Sequence, residues 1–221
     1  VRSAVPPPVP FARDRRLVSK RRFDLAFALL LALPVGLVCV AVAIVLLVAQ
    51  GRPVFYRSER MRTCDAGFTL WKFRTMTPAA GEPAVTGGQV AARITPIGRV
   101  LRRTRLDEFP QLWNVLLGEM SFVGPRPPLR AVVARHPEVY AGVLVFPPGI
   151  TGLATVLYHR IEARKLSRCA TQAEADEIYS GTCVGQKARL DRLYAARWGL
   201  GLDIAILWAT LSGRWPRRRQ T

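Results

Sequence analysis

Histidine is scarce in this 221-residue sequence: His136 and His159 are the only two. That excludes a His-rich metal centre and argues against a Ser-His-Asp triad. Any metal must then be a hard, oxygen-ligated ion such as magnesium. Cysteine is nearly as sparse. Cys39, Cys64, Cys169 and Cys183 include no C-x-x-C pair, so neither a zinc ribbon nor a redox motif is supported. Cys39 falls inside an apolar block as a small packing residue, the others read as reduced thiols, and nothing argues for a Cys169–Cys183 bridge. Acids are also in short supply, 15 against 33 Lys+Arg, giving a net charge of +18 and a pI near 11.3. Such a chain needs anionic partners: nucleic acid, anionic lipid or a phosphorylated substrate. Charge alone does not choose among them.

The length suits one domain with a sizeable core and an appendage, and no internal repeat is visible. Residues 1–16, VRSAVPPPVPFARDRR, combine proline and arginine without an apolar period and read as a disordered arm. The first residue is valine rather than methionine, which leaves room for residues upstream. Leu25 to Ala49 then runs 25 residues without a charge, more than the roughly 20 a membrane helix needs. Lys20, Arg21 and Arg22 precede this block, and Arg52, Arg57, Arg60 and Arg62 follow it. Positive charge favours the cytoplasmic side, so a simple span strands one basic flank on the wrong face. Pro34 near the middle bends a helix. Residues 17–50 are therefore expected to form a re-entrant helix-break-helix hairpin with both ends cytoplasmic. A single span that tolerates the proline is the alternative.

Beyond the membrane block, GRPVFYRSERM and GFTLWKFRTM alternate as short strands do. Residues 77–93, rich in Gly, Pro and Ala, read as a mobile loop. ITPIGRVLRRTRL carries an apolar helical face at Ile97, Val100, Leu101 and Leu106. Pro110 suits the first turn of a second helix, QLWNVLL, which Gly118 ends. The stretch 190–211 is apolar with Trp198 and Trp208 and leads to a basic tail at 214–221. It reads either as a helix at the lipid interface or as a buried core helix.

One string concentrates the chemistry: RRTRLDEFPQLWNVLLGEMSFVGPRP, residues 102–127. Asp107 and Glu108 sit between arginines and a stiff GPRP turn. Mid-helix neighbours point about 100° apart and do not face one target. Here Pro110 pushes its predecessor towards extended geometry, which would set both acids at the mouth of a helix. With Arg102, Arg103 and Arg105 nearby, both effects should keep a carboxylate ionised, hence usable as nucleophile or metal ligand. The plainer reading is a surface ion pair worth about 0–1 kcal/mol. The surroundings favour the first reading. Prolines on both sides hold Arg126, and WKFRTM offers Lys72 and Arg74 on one strand face. Lys72, Arg74, Arg102 and Arg126 are thus candidate phosphate ligands, and basic residues around an acid pair suit phosphoryl transfer with magnesium.

KRRFD before a proline-broken apolar segment, FYRSERM, KFRTM, the LDE…GPRP string and PPGITGLATV follow one another in a known order. In this the chain resembles the bacterial sugar transferases called monotopic phosphoglycosyl transferases, from about residue 17 to 155 and weakly again from Lys187 to Leu211. The resemblance implies transfer of a phospho-sugar from a nucleoside diphosphate sugar, usually UDP-linked, to a polyprenyl phosphate such as undecaprenyl phosphate. Nucleoside monophosphate is released. It implies Asp107 as nucleophile, Glu108 as its assistant and Mg2+ bound at the dyad through Asp107. The implied fold is an α/β-mixed catalytic domain, residues 51–213, resting on amphipathic helices beside one re-entrant hairpin. It would sit at the cytoplasmic face of a bacterial inner membrane, beginning a surface glycan such as an exopolysaccharide. A homodimer is compatible with this; a nucleic-acid partner is not expected.

The sequence departs from that pattern in places. Leu33-Pro34 replaces the Ser-Pro of many relatives, so proline must bend the helix alone. GITGLATVLYHR stands where GITGWAQVNGR is common, and residues 161–186 diverge. Lys187, Asp191 and Tyr194 recover part of one later pattern and Asp203 part of another, each equally readable as an ion-pair member. Competing functions are a membrane-tethered nucleic-acid-binding protein, disfavoured because no such motif occurs, and a non-catalytic membrane scaffold.

Overall fold

The computed structural model describes residues 15–77, 93–169 and 171–213. The loop interior, most of the N-terminal arm and the basic tail fall outside these residues. Helix α1, Arg15–Gln50, contains the whole apolar block together with Arg15 and Arg16, which the sequence placed in the arm. The expected separation into two helices at Leu33-Pro34 does not occur: helical backbone continues through Pro34. Proline removes one donor and crowds the preceding turn, which can bend a helix without ending it.

How α1 rests on the domain follows from its own periodicity. Lys20, Asp24, Ala28, Leu31, Val35, Cys39, Val42 and Leu46 recur at three- or four-residue steps and form one stripe against the protein. Phe27, Ala28, Leu31 and Val35 pack into a central core with Phe68, Leu70, Val115 and Phe122. Cys39, Val42 and Leu46 pack on Phe73 and Leu101. Both halves of the helix therefore touch the same domain, while Leu30, Leu33, Leu37, Ile44 and Val48 point outward, uncovered. The two ends are fastened as well. Arg21 donates to the carbonyls of Val115 (2.5 Å) and Leu116 (2.8 Å). Arg74 donates to those of Gln50 (2.6 Å), Gly51 (3.0 Å) and Arg52 (3.1 Å).

The strands β1 (Phe55–Met61) and β2 (Gly67–Phe73) pair as the antiparallel hairpin the alternation predicts, from Phe55 opposite Phe73 to Met61 opposite Gly67. Next come α2 (Pro96–Thr104), capped by Thr95 Oγ1 at Gly98 N, then a 3-10 turn (Leu106–Glu108) and α3 (Gln111–Leu117). Gly118 closes α3 with φ 81°, a left-handed conformation that glycine adopts without strain. Short strands β3 (Ser121–Val123) and β4 (Gly149–Thr151) pair in parallel. Gly124 and Gly149 meet backbone to backbone at their ends, and a Cβ on Gly149 would lie 2.1 Å from Gly124 N. The GPRP and PPGITG strings are thus two sides of one close contact that larger residues would force apart.

Helices α4 (Arg130–Arg135), α5 (Pro137–Ala141), α6 (Leu153–Leu166), α7 (Gln172–Ile178), α8 (Val184–Ala196) and α9 (Leu200–Ser212) complete the domain. The stretch 190–211, read from sequence as one helix, is divided at residues 197–199 between the end of α8 and α9. Asp203, Ile206 and Ala209 are buried, whereas Leu200, Ile204, Trp208 and Leu211 form an exposed apolar face. All four cysteines are free thiols.

Asp203, a candidate site residue from sequence, is structural. Fully buried, it accepts from Lys20 of α1 at 2.8 Å, from Trp198 Nε1 at 3.1 Å and from the Tyr194 hydroxyl at 2.6 Å. The network welds α1 to α9. Removing one partner strands a buried charge, so Lys20→Met or Asp203→Asn should each destabilise the detergent-solubilised protein by about 3–5 kcal/mol. The double variant Lys20→Met/Asp203→Leu should recover most of that loss in thermal unfolding. Equal loss in single and double variants would show that the pair contributes packing only.

Candidate active site

Asn114 sets the frame of the site. Wholly buried on α3, it accepts from Trp71 N (3.2 Å) and donates to Thr69 O (2.7 Å), locking α3 to β2. Its side chain also donates to Glu119 Oε2 (2.6 Å). That lock places Lys72 of β2 over the 3-10 turn. Lys72 Nζ donates to Glu108 Oε1 at 2.8 Å, with Arg126 at 3.6 Å from the same oxygen and Arg105 at 3.7 Å from Oε2. Arg105 holds a left-handed φ of 58° at the junction between α2 and the turn.

The turn itself corrects one expectation. Phe109, which precedes Pro110, is not extended but right-handed helical, at φ −57° and ψ −37°. Two hydrogen bonds, Phe109 N to Leu106 O (3.2 Å) and Leu112 N to Phe109 O (3.0 Å), outweigh the proline's steric pressure. From this tight turn the two acids make different contacts. Glu108 enters the cluster of three cations; among the described residues no Lys or Arg nitrogen lies within 4.0 Å of the Asp107 carboxylate. Both side chains are largely shielded from solvent.

Their electrostatics differ in the same sense. Burial would raise the Glu108 carboxyl, but Lys72, Arg126 and Arg105 outweigh it and hold Glu108 below its ordinary value. Burial pushes Asp107 up; Lys72 opposes this and the charge of Glu108 adds to it. The neighbouring cations thus outweigh burial at Glu108, whereas at Asp107 burial is the larger effect. Burial, with repulsion from Arg126, depresses Lys72.

The other candidates divide. Arg126 reaches Glu108 as expected. Arg102 bonds Thr75 Oγ1 at 2.9 Å while its charge is felt at Asp107. Arg74 is not at the dyad: β2 ends at Phe73, strand alternation stops there, and the guanidinium caps α1 instead. Asp191 stands apart on α8, accepting from the backbone of Ala154 in the first turn of α6, where the cap residue Gly152 has no side chain to offer. Arg105 and Asn114, absent from the sequence-derived site, prove central; an arginine ending a helix and an asparagine within one carry no local signal of such roles.

Two carboxylates with unequal partners lie beside the apolar helix: Glu108 with three cations within 4 Å, Asp107 with no ion-pair partner among the described residues. The family model described as bacterial sugar transferase matches residues 15–215. A Bacillus subtilis protein, the uncharacterized sugar transferase EpsL, is 34% identical over 197 residues, covering 88% of this chain and 86% of its own. The Escherichia coli UDP-glucose:undecaprenyl-phosphate glucose-1-phosphate transferase is 32% identical over 206 residues, covering 91% of this chain and 41% of its own. A Caulobacter vibrioides protein of the same description is 41% identical over 167 residues, covering 72% and 62%. This chain belongs to the bacterial sugar transferase family. It spans about two fifths of the length of the Escherichia coli relative and of a Klebsiella pneumoniae one.

Burial pushes the Asp191 carboxyl up to about 7 from 3.8. The proton is thus held more tightly by the folded chain than by the unfolded one. The stability this confers is complete below pH 4 and is lost as pH rises towards 7. Asp191→Asn cannot ionise, so above pH 7 it should be the more stable protein by roughly a few kcal/mol. The advantage should shrink steadily when thermal unfolding is repeated down to pH 5. A pH-independent difference would refute the assignment.

Proposed function

We propose that this chain transfers a phospho-sugar from a nucleoside diphosphate sugar to a polyprenyl phosphate in two displacements through Asp107. One observation carries the reading: Glu108 has three cations within 4 Å, while among the described residues the adjacent Asp107 has no ion-pair partner. A nucleophile must not be tied up in an ion pair, and its neighbour must hold cations where phosphate charge develops. In the first displacement an Asp107 oxygen attacks the sugar-side phosphorus and the nucleoside monophosphate leaves. In the second, an oxygen of the lipid phosphate attacks that phosphorus and frees the carboxylate. Neither step needs a general base, since both nucleophiles are anions, which suits a chain with two histidines. Lys72, Arg126 and Arg105 supply the positive charge that a transferring phosphoryl group requires. The relatives named for UDP-glucose and undecaprenyl phosphate support a uridine donor and an undecaprenyl acceptor.

The dyad fits a magnesium ion completed by substrate. Glu108 Oε2 has no hydrogen-bond donor and Asp107 has no ion-pair partner among the described residues, and magnesium commonly takes one or two carboxylates plus phosphate oxygens. When bound, the ion would neutralise phosphate charge; Asp107 and Glu108 would hold it.

Membrane placement follows from α1. It is long and apolar enough to cross a bilayer, yet both halves of its stripe rest on the domain. A perpendicular span would lift one half away. That favours a helix that enters and leaves the cytoplasmic leaflet of the inner membrane, bent at Pro34, with α9 lying at the interface. The lipid acceptor then reaches the dyad from the side.

Asp107→Asn should lower transfer by more than about a thousandfold. It should also abolish the release of nucleoside monophosphate that wild type gives without lipid acceptor. A variant within tenfold of wild type would remove Asp107 from the mechanism. With the native cysteines replaced, Val18→Cys and Arg57→Cys should react with an impermeant thiol reagent from the same face of the membrane. Labelling from opposite faces would establish a simple span.

A further inference from the structure

Beside the dyad lies a small, narrow recess. Its walls carry Lys72, Glu108 and Arg126, together with two residues that the transfer reaction has not yet used, Arg60 of β1 and Gln111 of α3. Both hold buried donors without acceptors: Arg60 Nε and Gln111 Nε2. Gln111 is only 3% exposed. Leaving a buried donor unmatched costs about 1–3 kcal/mol, and native proteins seldom do so without a use for it. The remaining polar contact of Arg60 is a long one, Nη1 to Pro127 O at 3.4 Å. Arg60 also faces Arg126 across the recess, and the nearest acid, Glu108, is already bonded to Lys72. Three cations against one carboxylate leave the lining two positive charges in excess. Such a wall is built to receive an anion with several acceptor oxygens.

The chemistry identifies which anion. Attack by Asp107 forms an O–P bond to the sugar-side phosphorus and breaks the bond from that phosphorus to the bridging oxygen. The electron pair stays on the bridging oxygen, which departs as a terminal oxygen of the nucleoside monophosphate, and no proton moves. Negative charge therefore grows on the nucleotide-side phosphate during the first displacement. The cations bound to Glu108 serve the sugar-side phosphorus and leave this charge unattended. We propose that Arg60 and Gln111 form the subsite that holds the nucleotide-side phosphate and stabilises it as it leaves. The assignment rests on the two-step transfer through Asp107. It adds that the two phosphates of the donor are held by different residues, so the subsite acts in the first displacement only. Donors aimed at charge that appears in the transition state raise the rate more than they raise ground-state affinity.

The test uses the full chain in detergent, with uridine monophosphate as the binding probe and a UDP-sugar in single-turnover assays. Arg60→Ala and Gln111→Leu should each weaken uridine monophosphate binding at least tenfold by calorimetry. Arg60→Ala should slow formation of the Asp107 adduct at least a hundredfold, and Arg60→Lys should restore part of that rate. Discharge of accumulated adduct to polyprenyl phosphate should stay within twofold of wild type. Unchanged nucleotide affinity in both variants, or equal slowing of both half-reactions, would overturn the subsite. Should Arg60→Ala not fold, nucleotide affinity of the near-isosteric Gln111→Leu decides alone. Nucleotide binding that depends on Arg60 in a wild-type protein forming no adduct would sink the two-step reading and leave the subsite standing.

Discussion

The hydrogen-bonded ion pair between Lys72 and Glu108, at 2.8 Å, organises the site. It is an unequal pair. Glu108 has three cations within 4 Å, whereas Lys72 has a single carboxylate and the repulsion of Arg126. In a shielded cleft a lone lysine would be driven towards its neutral form, and a lone glutamate towards its acid. Together each keeps the other charged. The consequence for Asp107 is indirect but decisive. With the cations committed to its neighbour, Asp107 is left with a carboxyl raised by burial and no ion pair to break before it can react. Two adjacent residues of the same charge type thus differ in electrostatics, because only one of them has cations within ion-pair distance.

Geometry at that turn depends on contacts made elsewhere. Asn114 ties β2 to α3, Arg21 of α1 caps the end of α3, and Lys20 fastens α1 to α9. The apolar helix is therefore part of the scaffold that holds the dyad. Its outward residues and those of α9, Ile204, Trp208 and Leu211, are left uncovered. The proposed use of one carboxylate by a soluble donor and a lipid acceptor in turn would require that carboxylate to be fixed relative to the apolar helix. The contacts that bury Lys20 and Asp203 supply that fixity.

Much of this could be read from the residues in order. The hairpin strands, α2 with its arginine-rich face, and α3 from Pro110 to Gly118 all follow from local rules, because short-range periodicity, proline and glycine decide them. The dyad and Arg126 were legible for a similar reason: charge of the rarer sign stood beside a turn of fixed shape. What sequence could not give were facts of the third dimension. Strand alternation predicted Lys72 and Arg74 on one face, but it ceased to apply one residue after Lys72, where β2 ends. Arg60 lies near the start of the sequence motif pattern as one basic residue among many, and only the fold brings it to Gln111. The stripe on α1 was hidden because its outward face is as apolar as its inward one, so hydropathy alone marked no side as the contact.

Acids far from the dyad illustrate how a basic chain misleads. Among 33 bases and 15 acids, any acid in an apolar setting draws notice as a functional candidate. Asp191 and Asp203 both qualified, and both are buried, yet one accepts from a helix N-terminus and the other from a lysine and two aromatic donors. Both oxygens of Asp203 are spent on protein donors, whereas Asp191 accepts from Ala154 and leaves Oδ1 without a donor. Glu108 is similarly engaged, but two of its partners, Lys72 and Arg126, line a cleft. In the proposed transfer, what separates a reactive carboxylate from a structural one is therefore neither burial nor charge but whether its partners can be exchanged for substrate, and Asp107, with no ion-pair partner among the described residues, is the limiting case.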